Sequence, residues 1–345
     1  MAANEMNFIE VDGQFMNANN PVSLSYITVP GQPVVFQAKF NEDNDGAPNC
    51  YGPPGLGTLE SKLAMATSPW TNFGKNNNFA WVGLLSATKE DAEANSWVID
   101  DDDPLFEARQ GPNGKLLPAG QSGTWPIVQQ APGAVDKKGH PVGPVGPRPG
   151  FYISTTSAAA FPGLPRTNQN RYFNATTVPY SAISPGVTDA TRVALGDFGL
   201  VIRKKTGASA GFFFADGGSG GKVGECSRFL FQTVSGRDNN DDVCFILFPE
   251  SGQGRLPTQA TVGLIEQTVK DQMAELAKVS NPEALPRFLA MGADPKKWMM
   301  DEDDGRMHWV EYNNIVMALA KWGYKVPPMM DFPSKEQMDQ VARTA

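Results

Sequence analysis

Histidine and cysteine are scarce in this sequence of 345 residues. The two histidines, His140 and His308, lie in different regions, and the three cysteines show no metal-ligand spacing. We therefore expect neither a histidine-rich metal site nor a Ser-His-Asp hydrolase, since both need these side chains in defined sets. An odd number of cysteines also argues against a disulfide framework. The chemistry is left to carboxylates, with no metal and no organic cofactor.

Basic clusters and long apolar runs are missing as well. The formal net charge of −8 and the absence of a basic block argue against a nucleic-acid partner, because the phosphate backbone would be repelled. The negative charge fits either a cationic substrate or solubility alone. No window approaches a membrane span, so no membrane partner is expected.

The first residues, Met1 to Asn7, have neither the basic start nor the apolar core of a secretory signal. Localisation therefore stays open at this stage. An enzyme of this kind would act outside the cell, or on the wall of a target cell, if it were exported by a non-classical route.

Turn-forming residues, in contrast, are plentiful. The chain has 35 glycines and 28 prolines, and only 19% of its residues are charged, which favours a mainly β protein with long loops. Residues 104–150 are the richest in Gly and Pro and predict a long surface loop. Short apolar runs predict strands at Pro33 to Phe40, Phe79 to Leu85, Phe151 to Thr156, Val178 to Ile183, Phe198 to Arg203, Gly211 to Phe214, Phe229 to Thr233 and Val243 to Phe248.

The composition changes after Pro257, where apolar residues recur at helical spacing. Helices are predicted at Ala260 to Val279, Asn281 to Met291 and Met307 to Trp322. We accordingly predict two domains, a β domain over residues 1–257 and a small α-helical region over 258–345. The apolar faces of these helices either cover the β domain or dock a partner, such as a carrier or an immunity protein.

The most informative stretch runs from Phe212 to Ser227, where two carboxylates lie nine residues apart across a glycine-rich turn. An aromatic strand leads to Asp216, the glycines allow the chain to reverse, and Glu225 opens the next apolar run. Two carboxyl groups in unequal surroundings can divide the acid and base roles that hydrolysis of a glycosidic bond requires. We predict Asp216 and Glu225 as the catalytic pair.

Partial burial ahead of a strand would raise the pKa of Glu225, so Glu225 is assigned as the acid and Asp216 as the base. The reverse assignment stays open. So do two structural alternatives, a turn-forming role for Asp216 and a salt bridge from Glu225 to Lys222 or Arg228.

Several segments, in their order along the chain, resemble the fungal and bacterial chitosanases of glycoside hydrolase family 75. These segments are Asp43-Asn44-Asp45-Gly46-Ala47-Pro48, Arg148-Pro149-Gly150-Phe151-Tyr152-Ile153-Ser154-Thr155-Thr156-Ser157, Thr177-Val178-Pro179-Tyr180, Gly196-Asp197-Phe198-Gly199-Leu200-Val201, and Phe214-Ala215-Asp216 through Gly224-Glu225-Cys226-Ser227. The resemblance spans about residues 34–250 and leaves the helical region unmatched. It implies an endo-acting hydrolase that cleaves β-1,4-linked glucosamine polymer with inversion, with its acidic pair at Asp216 and Glu225.

The Asp-Gly turn followed by a Gly-Glu element is also similar to double-psi β-barrel enzymes, including lytic transglycosylases and family 45 cellulases. This second similarity implies a closed β-barrel of double-psi type. It also makes peptidoglycan an alternative polysaccharide substrate.

Four further polar residues are candidates for substrate binding. Asp43 and Asp45 follow a strand, where they would contact a substrate amine or orient a sugar hydroxyl, and Lys39 would pair with one of them. Asp197 precedes another strand and would contact other residues of the site. The alternative for the three aspartates is a turn-forming role.

Tryptophans in loops are candidates for stacking against a sugar ring. Trp70 and Trp125 are flanked by Pro69 and Pro126, which places them in loops, whereas most other tryptophans are expected in the core.

Three functions are thus open from the sequence. The first is a chitosan-cleaving glycoside hydrolase. The second is a cell-wall hydrolase delivered by a phage or a secretion apparatus, and the third is a non-catalytic, carbohydrate-binding structural protein.

Overall fold

The computed structural model describes residues 8–10, 15–17, 20–22, 24–27, 31–52, 57–59, 83–99, 124–130, 148–218, 223–235, 242–252, 260–291 and 302–326. The chain forms two compact units, one made of Met1–Asp43 with Thr177–Ala345 and the other of Asn44–Thr176. Within the described ranges, no helix combines the length and apolarity needed to cross a membrane.

The described residues of the first unit form a mixed sheet of nine strands in the order β1-β4-β5-β13-β10-β11-β9-β12-β6. Its strands are β1 Phe8–Glu10, β4 Leu24–Ile27, β5 Val34–Lys39, β6 Asn41–Asp43, β9 Tyr180–Ile183, β10 Phe198–Arg203, β11 Ser209–Gly217, β12 Glu225–Ser227 and β13 Asp242–Phe248. A separate pair consists of β2 Phe15–Asn17 and β3 Asn20–Val22. In the large sheet, β11 pairs with β9 and β12 with β6 in parallel, while all other neighbours are antiparallel.

Within the described residues, five helices belong to the same unit. They are α2 Pro185–Ala190, α3 Arg228–Val234, α4 Val262–Val279, α5 Ala284–Met291 and α6 Glu302–Lys321. The last three overlap the helices predicted after Pro257.

The closed, double-psi-like barrel predicted from the sequence is wrong. The sheet curls but stays open, and the fold is mixed α/β, with about 31% of the described residues in helices and about 27% in strands. Closing a barrel requires the two edge strands to pair with each other. Within the described ranges, the edge strand β1 pairs only with β4, and the opposite edge strand β6 only with β12.

The strand predicted at Phe229 to Thr233 is also wrong, because this segment is helix α3. Ser227 caps the helix, and its Oγ accepts a hydrogen bond from the Leu230 N–H. Leu230, Phe231 and Val234 form the buried face of the helix. An N-cap adds about 1 kcal/mol to the stability of a helix. Together with the buried apolar face, this outweighs the strand propensity of these residues.

The two faces of the sheet are covered by different elements. One face carries the main hydrophobic core, in which Phe36 stacks on Phe245 at 4.9 Å and Phe212 meets Phe245 edge-on at 5.6 Å. On β11, Gly211 faces the opposite way. A Cβ added there would lie 3.2–3.4 Å from Trp322, Val269 and Ile265, so the C-terminal helices pack against the bare backbone of this strand.

The described residues of the second unit are mainly irregular and enclose a smaller hydrophobic core. It contains strands β7 Ser86–Thr88 and β8 Thr124–Pro126, helix α1 Lys89–Asn95 and a 3-10 helix at Gln169–Arg171. The segment predicted as a strand at Phe151 to Thr156 makes only isolated bridges, through Tyr152 and Ser154. Residues 79–82 of another predicted strand, and most of the loop predicted over residues 104–150, lie outside the described residues.

Candidate active site

Strand β9 brings the two predicted catalytic residues into register. Ala182 on β9 lies opposite Asp216 on one side and opposite Glu225 on the other. Residues opposite each other on neighbouring strands project from the same face of a sheet. Two strand spacings therefore place the Cα atoms of Asp216 and Glu225 roughly 9 to 10 Å apart, with only the methyl group of Ala182 between them.

A β-bulge in β11 decides which face Asp216 occupies. Phe214 lies opposite Ser181, but the next pair joins Asp216 to Ala182, so Ala215 is an extra residue. In a regular strand, Asp216 would share the face of Phe214, which belongs to the hydrophobic core. The bulge shifts the alternation by one residue and turns the carboxylate away from that core.

Gly224 fixes the position of Glu225 from the other side. It has a φ of +90°, and a Cβ added there would lie 2.4 Å from the Lys39 carbonyl oxygen. The Gly224 carbonyl accepts a hydrogen bond from the Asn41 N–H at 3.0 Å. Only glycine permits this backbone conformation together with such a close approach.

Asp43 lies on the same face as the predicted pair. Asn41 lies opposite Glu225, and Asp43 follows two residues later on β6, which returns it to the same face of the pleat. A carboxylate oxygen of Asp43 lies within 4.8 Å of one of Asp216. Such oxygens can also ligate a hard cation such as Ca²⁺ or Mg²⁺, so cation dependence has to be tested.

The three carboxyl groups of this face differ in burial. Asp43 and Asp216 are each 8% exposed, whereas Glu225 is half-buried. The Tyr180 hydroxyl, fully buried, donates a hydrogen bond to Asp43 Oδ2 at 3.4 Å, and Asp216 Oδ1 accepts one from the Gly217 N–H at 2.8 Å. Asp43 and Asp216 thus accept hydrogen bonds, and Glu225 is the most accessible of the three carboxyl groups.

Cys226 follows Glu225 and points to the opposite face, into the core. Burial raises the pKa of its thiol well above the ordinary value, and the carboxylates of Asp43, Glu225 and Glu42 raise it further. The thiol is therefore neutral and unsuited to nucleophilic chemistry.

Asp45 belongs to the second unit, where it is also buried. Its Oδ1 accepts hydrogen bonds from the hydroxyls of Tyr51 and Ser154 and from the Cys50 thiol. A Cβ added to Gly83 would lie 2.0–2.2 Å from the Asp45 carboxylate, so the Gly83 backbone lies directly against this group. Within this unit, Asp45 holds surrounding loops together.

The remaining polar candidates, Lys39 and Asp197, both interact with identified groups. Lys39 Nζ forms an ion pair with Asp242 Oδ1 at 2.7 Å. The Asp197 carboxylate accepts hydrogen bonds from the Ala194 and Gly252 N–H groups and joins two turns. Burial raises the pKa of Asp197, and these hydrogen bonds oppose the rise.

Arg228, proposed as a partner of Glu225, forms an ion pair with Glu42 at 2.7 Å. Trp70 and Lys222 lie outside the described residues. The backbone of Trp125 forms part of β8, but its side chain is outside the described part of the structure.

Two contributors to this face were missed in the sequence, Tyr180 and Ala182. Both lie in the strand predicted at Val178 to Ile183. No sequence signal indicated that β9 would lie between β11 and β12.

No protein-family model matches this chain, and no curated protein matches it. A function can therefore be inferred only from the site itself and from the motifs of the sequence.

Proposed function

We propose that the chain is an inverting glycoside hydrolase that cleaves β-1,4-linked glucosamine polymer. The observation that carries this proposal is the register of Asp216 and Glu225 on either side of Ala182. Inverting enzymes hold their two carboxyl groups roughly 6.5–9.5 Å apart, so that a water molecule fits on the far side of the sugar. A Cα separation of roughly 9 to 10 Å, with side chains on one face, is compatible with that range.

The difference in burial supports Asp216 as the acid and Glu225 as the base, the reverse of the assignment first made from the sequence. Burial disfavours the charged form of a carboxyl group, so the more buried Asp216 is better suited to hold a proton. Asp216 donates its proton to the glycosidic oxygen as the bond to the anomeric carbon breaks. Glu225 takes a proton from the water whose oxygen forms the new bond on the opposite side.

The charge of the site favours a polymer of free amino sugars. Asp43, Asp216 and Glu225 lie on one face, and the whole chain carries a net charge of −8. Acidic groups raise the local concentration of a cationic polymer such as chitosan. Peptidoglycan, whose amino sugars are acetylated and which carries acidic groups, would gain less from this charge.

A second candidate function is that of a non-catalytic carbohydrate-binding protein. The burial of Asp43 and Asp216 favours it, because carboxylates with so little exposure are often structural.

The test is the release of reducing ends from chitosan and from peptidoglycan by the wild type, Asp216→Asn and Glu225→Gln. We expect the wild type to cleave chitosan and each variant to lose roughly 10²- to 10⁴-fold in kcat/KM, the usual contribution of a general acid or base. Asp271→Asn, an exposed residue of α4 that accepts a hydrogen bond from Gln267, serves as the matched control.

Each outcome separates the alternatives. Cleavage of peptidoglycan instead of chitosan would retain the chemistry and change the substrate. Binding of either polymer without cleavage would favour the non-catalytic candidate, and full activity in both variants would refute the assigned pair. Thermal unfolding of each variant shows whether a loss of activity reflects a loss of fold.

A further inference from the structure

Acidic residues are absent from one long stretch of an otherwise acidic chain. Residues 137–188 contain no Asp or Glu but five Lys and Arg, although the whole chain has 37 acidic residues. Two of these cations, Arg166 and Arg171, lie in the second unit, in the loop from Ala159 to Tyr172, whose ends face each other in a β-bridge. We propose that this loop, the arginine loop, binds a polysaccharide that carries carboxylate groups. The inference goes beyond the proposed function and does not depend on it.

The arginine loop is held in one shape by hydrogen bonds of its own residues. The Phe161 N–H donates to the Arg171 carbonyl at 3.2 Å, and the Arg171 guanidinium donates to the Leu164 carbonyl at 2.6 Å. Tyr172, a member of the hydrophobic core of this unit, donates its hydroxyl to the Arg166 carbonyl at 2.8 Å. A loop that is ordered before binding has less conformational entropy to lose when a ligand binds.

The positive charges of the loop have no carboxylate partner in the part of the chain that the structure describes. Neither Arg166 nor Arg171 belongs to the ion pairs found there, and Arg166 is exposed. Burial raises the pKa of Tyr172, and the charges of Arg166 and Arg171 oppose the rise, so both charges act on the same hydroxyl. Guanidinium groups bind carboxylates through paired, charge-assisted hydrogen bonds. The loop therefore suits an anionic ligand.

Phe161 adds an apolar surface beside these charges. Its side chain is 43% exposed, and a Cβ added to the nearby Gly163 would find nothing within 4 Å. A ring can therefore approach the loop and bury the exposed face of Phe161. A pyranose with a carboxylate group offers both an apolar face and a negative charge.

Two other polymers fit the arginine loop less well. Chitosan is cationic, so the guanidinium groups would repel it. Nucleic acids gain affinity by having several phosphates neutralised, and this loop offers only Arg166 and Arg171.

The test is isothermal titration calorimetry of the full chain with a short oligogalacturonate. Salt at about 0.1 M largely screens charges more than about 10 Å away, so the local charges of the loop dominate. We expect the wild type to bind oligogalacturonate and not a neutral malto-oligosaccharide of the same length. Arg166→Gln should weaken binding by about tenfold, since it removes the charge and keeps the backbone carbonyl that Tyr172 binds. Phe161→Ala should weaken it by about two- to tenfold.

A charge placed in the open space at Gly163 gives a matched pair of variants. Gly163→Glu should weaken oligogalacturonate binding by about tenfold or more, because it sets a negative charge beside the arginines without a clash. Gly163→Gln has the same size and no charge, and it should change binding by less than about twofold. Thermal unfolding of each variant should match that of the wild type.

Four results would overturn the proposal. They are no binding of oligogalacturonate by the wild type, equal binding of the neutral oligosaccharide, unchanged binding in Arg166→Gln, and equal binding by the two Gly163 variants. Single-stranded DNA should bind more weakly than oligogalacturonate. Tighter binding of DNA that Gly163→Glu abolishes would overturn the assignment to a polysaccharide.

Chitosan hydrolysis keeps this inference apart from the proposed function. Arg166→Gln and Gly163→Glu should cleave chitosan at the wild-type rate, since neither position belongs to the carboxylate face. If oligogalacturonate binds but chitosan is not cleaved, the proposed function fails and the inference stands. If chitosan is cleaved but oligogalacturonate does not bind, the inference fails and the proposed function stands.

Discussion

The middle of the large sheet and its β6 edge are built in opposite ways. Strands β5, β13 and β10 have six or seven residues, pair over most of their length and are largely buried and apolar. Strands β9, β12 and β6 have three or four residues and carry Tyr180, Glu225 and Asp43. The bulge in β11 lies where the two regions meet. The middle of the sheet therefore supplies stability, while the short strands near the β6 edge position polar groups.

The largest effect is expected from a cavity in the middle of the sheet. Phe245 contacts the rings of Phe36, Phe40 and Phe212. Phe245→Ala should lower the free energy of unfolding by about 3–5 kcal/mol, measured by urea denaturation. Phe161→Ala, at a side chain that is 43% exposed, should change it by less than about 0.5 kcal/mol. Similar values for the two variants would contradict the assigned core.

A smaller effect is expected at Gly224, which directly precedes β12. Gly224→Ala would place a Cβ against the Lys39 carbonyl at a φ of +90°, which should cost about 3 kcal/mol and displace Glu225. We expect lower stability together with a loss of activity. Gly263→Ala is the matched control, because nothing lies within 4 Å of its added Cβ and it lies in helix α4. The free energy of unfolding of that variant should rise by about 0.5–1 kcal/mol. A tolerated alanine at position 224 would refute the tight packing proposed for β12.

The smallest effect concerns Asp197, which joins two turns near the start of β10. In Asp197→Asn, the side-chain amide N–H would face one of the backbone N–H groups that now donate to the carboxylate. The substitution should lower the free energy of unfolding by about 1–2 kcal/mol. Because the folded-state pKa of Asp197 is raised above its ordinary value of 3.8, its titration favours the fold at low pH, and this contribution is lost as pH rises through the raised pKa. The stability difference between wild type and variant should therefore be larger at pH 4.5 than at pH 8 in urea unfolding. A difference that grows with pH would contradict the raised pKa.

The sequence predicted the regular parts of the fold better than their arrangement. The apolar runs of β5, β10, β11 and β13 and the periodicity of α4 are local signals, and the structure confirms them. The open sheet was not predicted, because the order of its strands depends on pairing between distant segments. Helix α3 was missed because its dense apolar residues, Phe229 to Phe231, fit a strand equally well.

The same limit applies to the site. Asp216 and Glu225 could be paired from the sequence because they lie only nine residues apart. Their neighbour Asp43 was assigned to substrate binding or to a turn, since it is separated from Asp216 by about half of the chain length. The bulge at Ala215 has no sequence signal, yet it decides which way Asp216 points.

The most direct test of the central claim is the anomeric configuration of the first product. Proton NMR of chitosan hydrolysis by the wild type should show the α-anomer appearing before mutarotation, because the proposed reaction inverts the anomeric carbon through direct attack by a water molecule. Initial release of the β-anomer would indicate a covalent intermediate and a shorter carboxyl separation, and it would contradict the account.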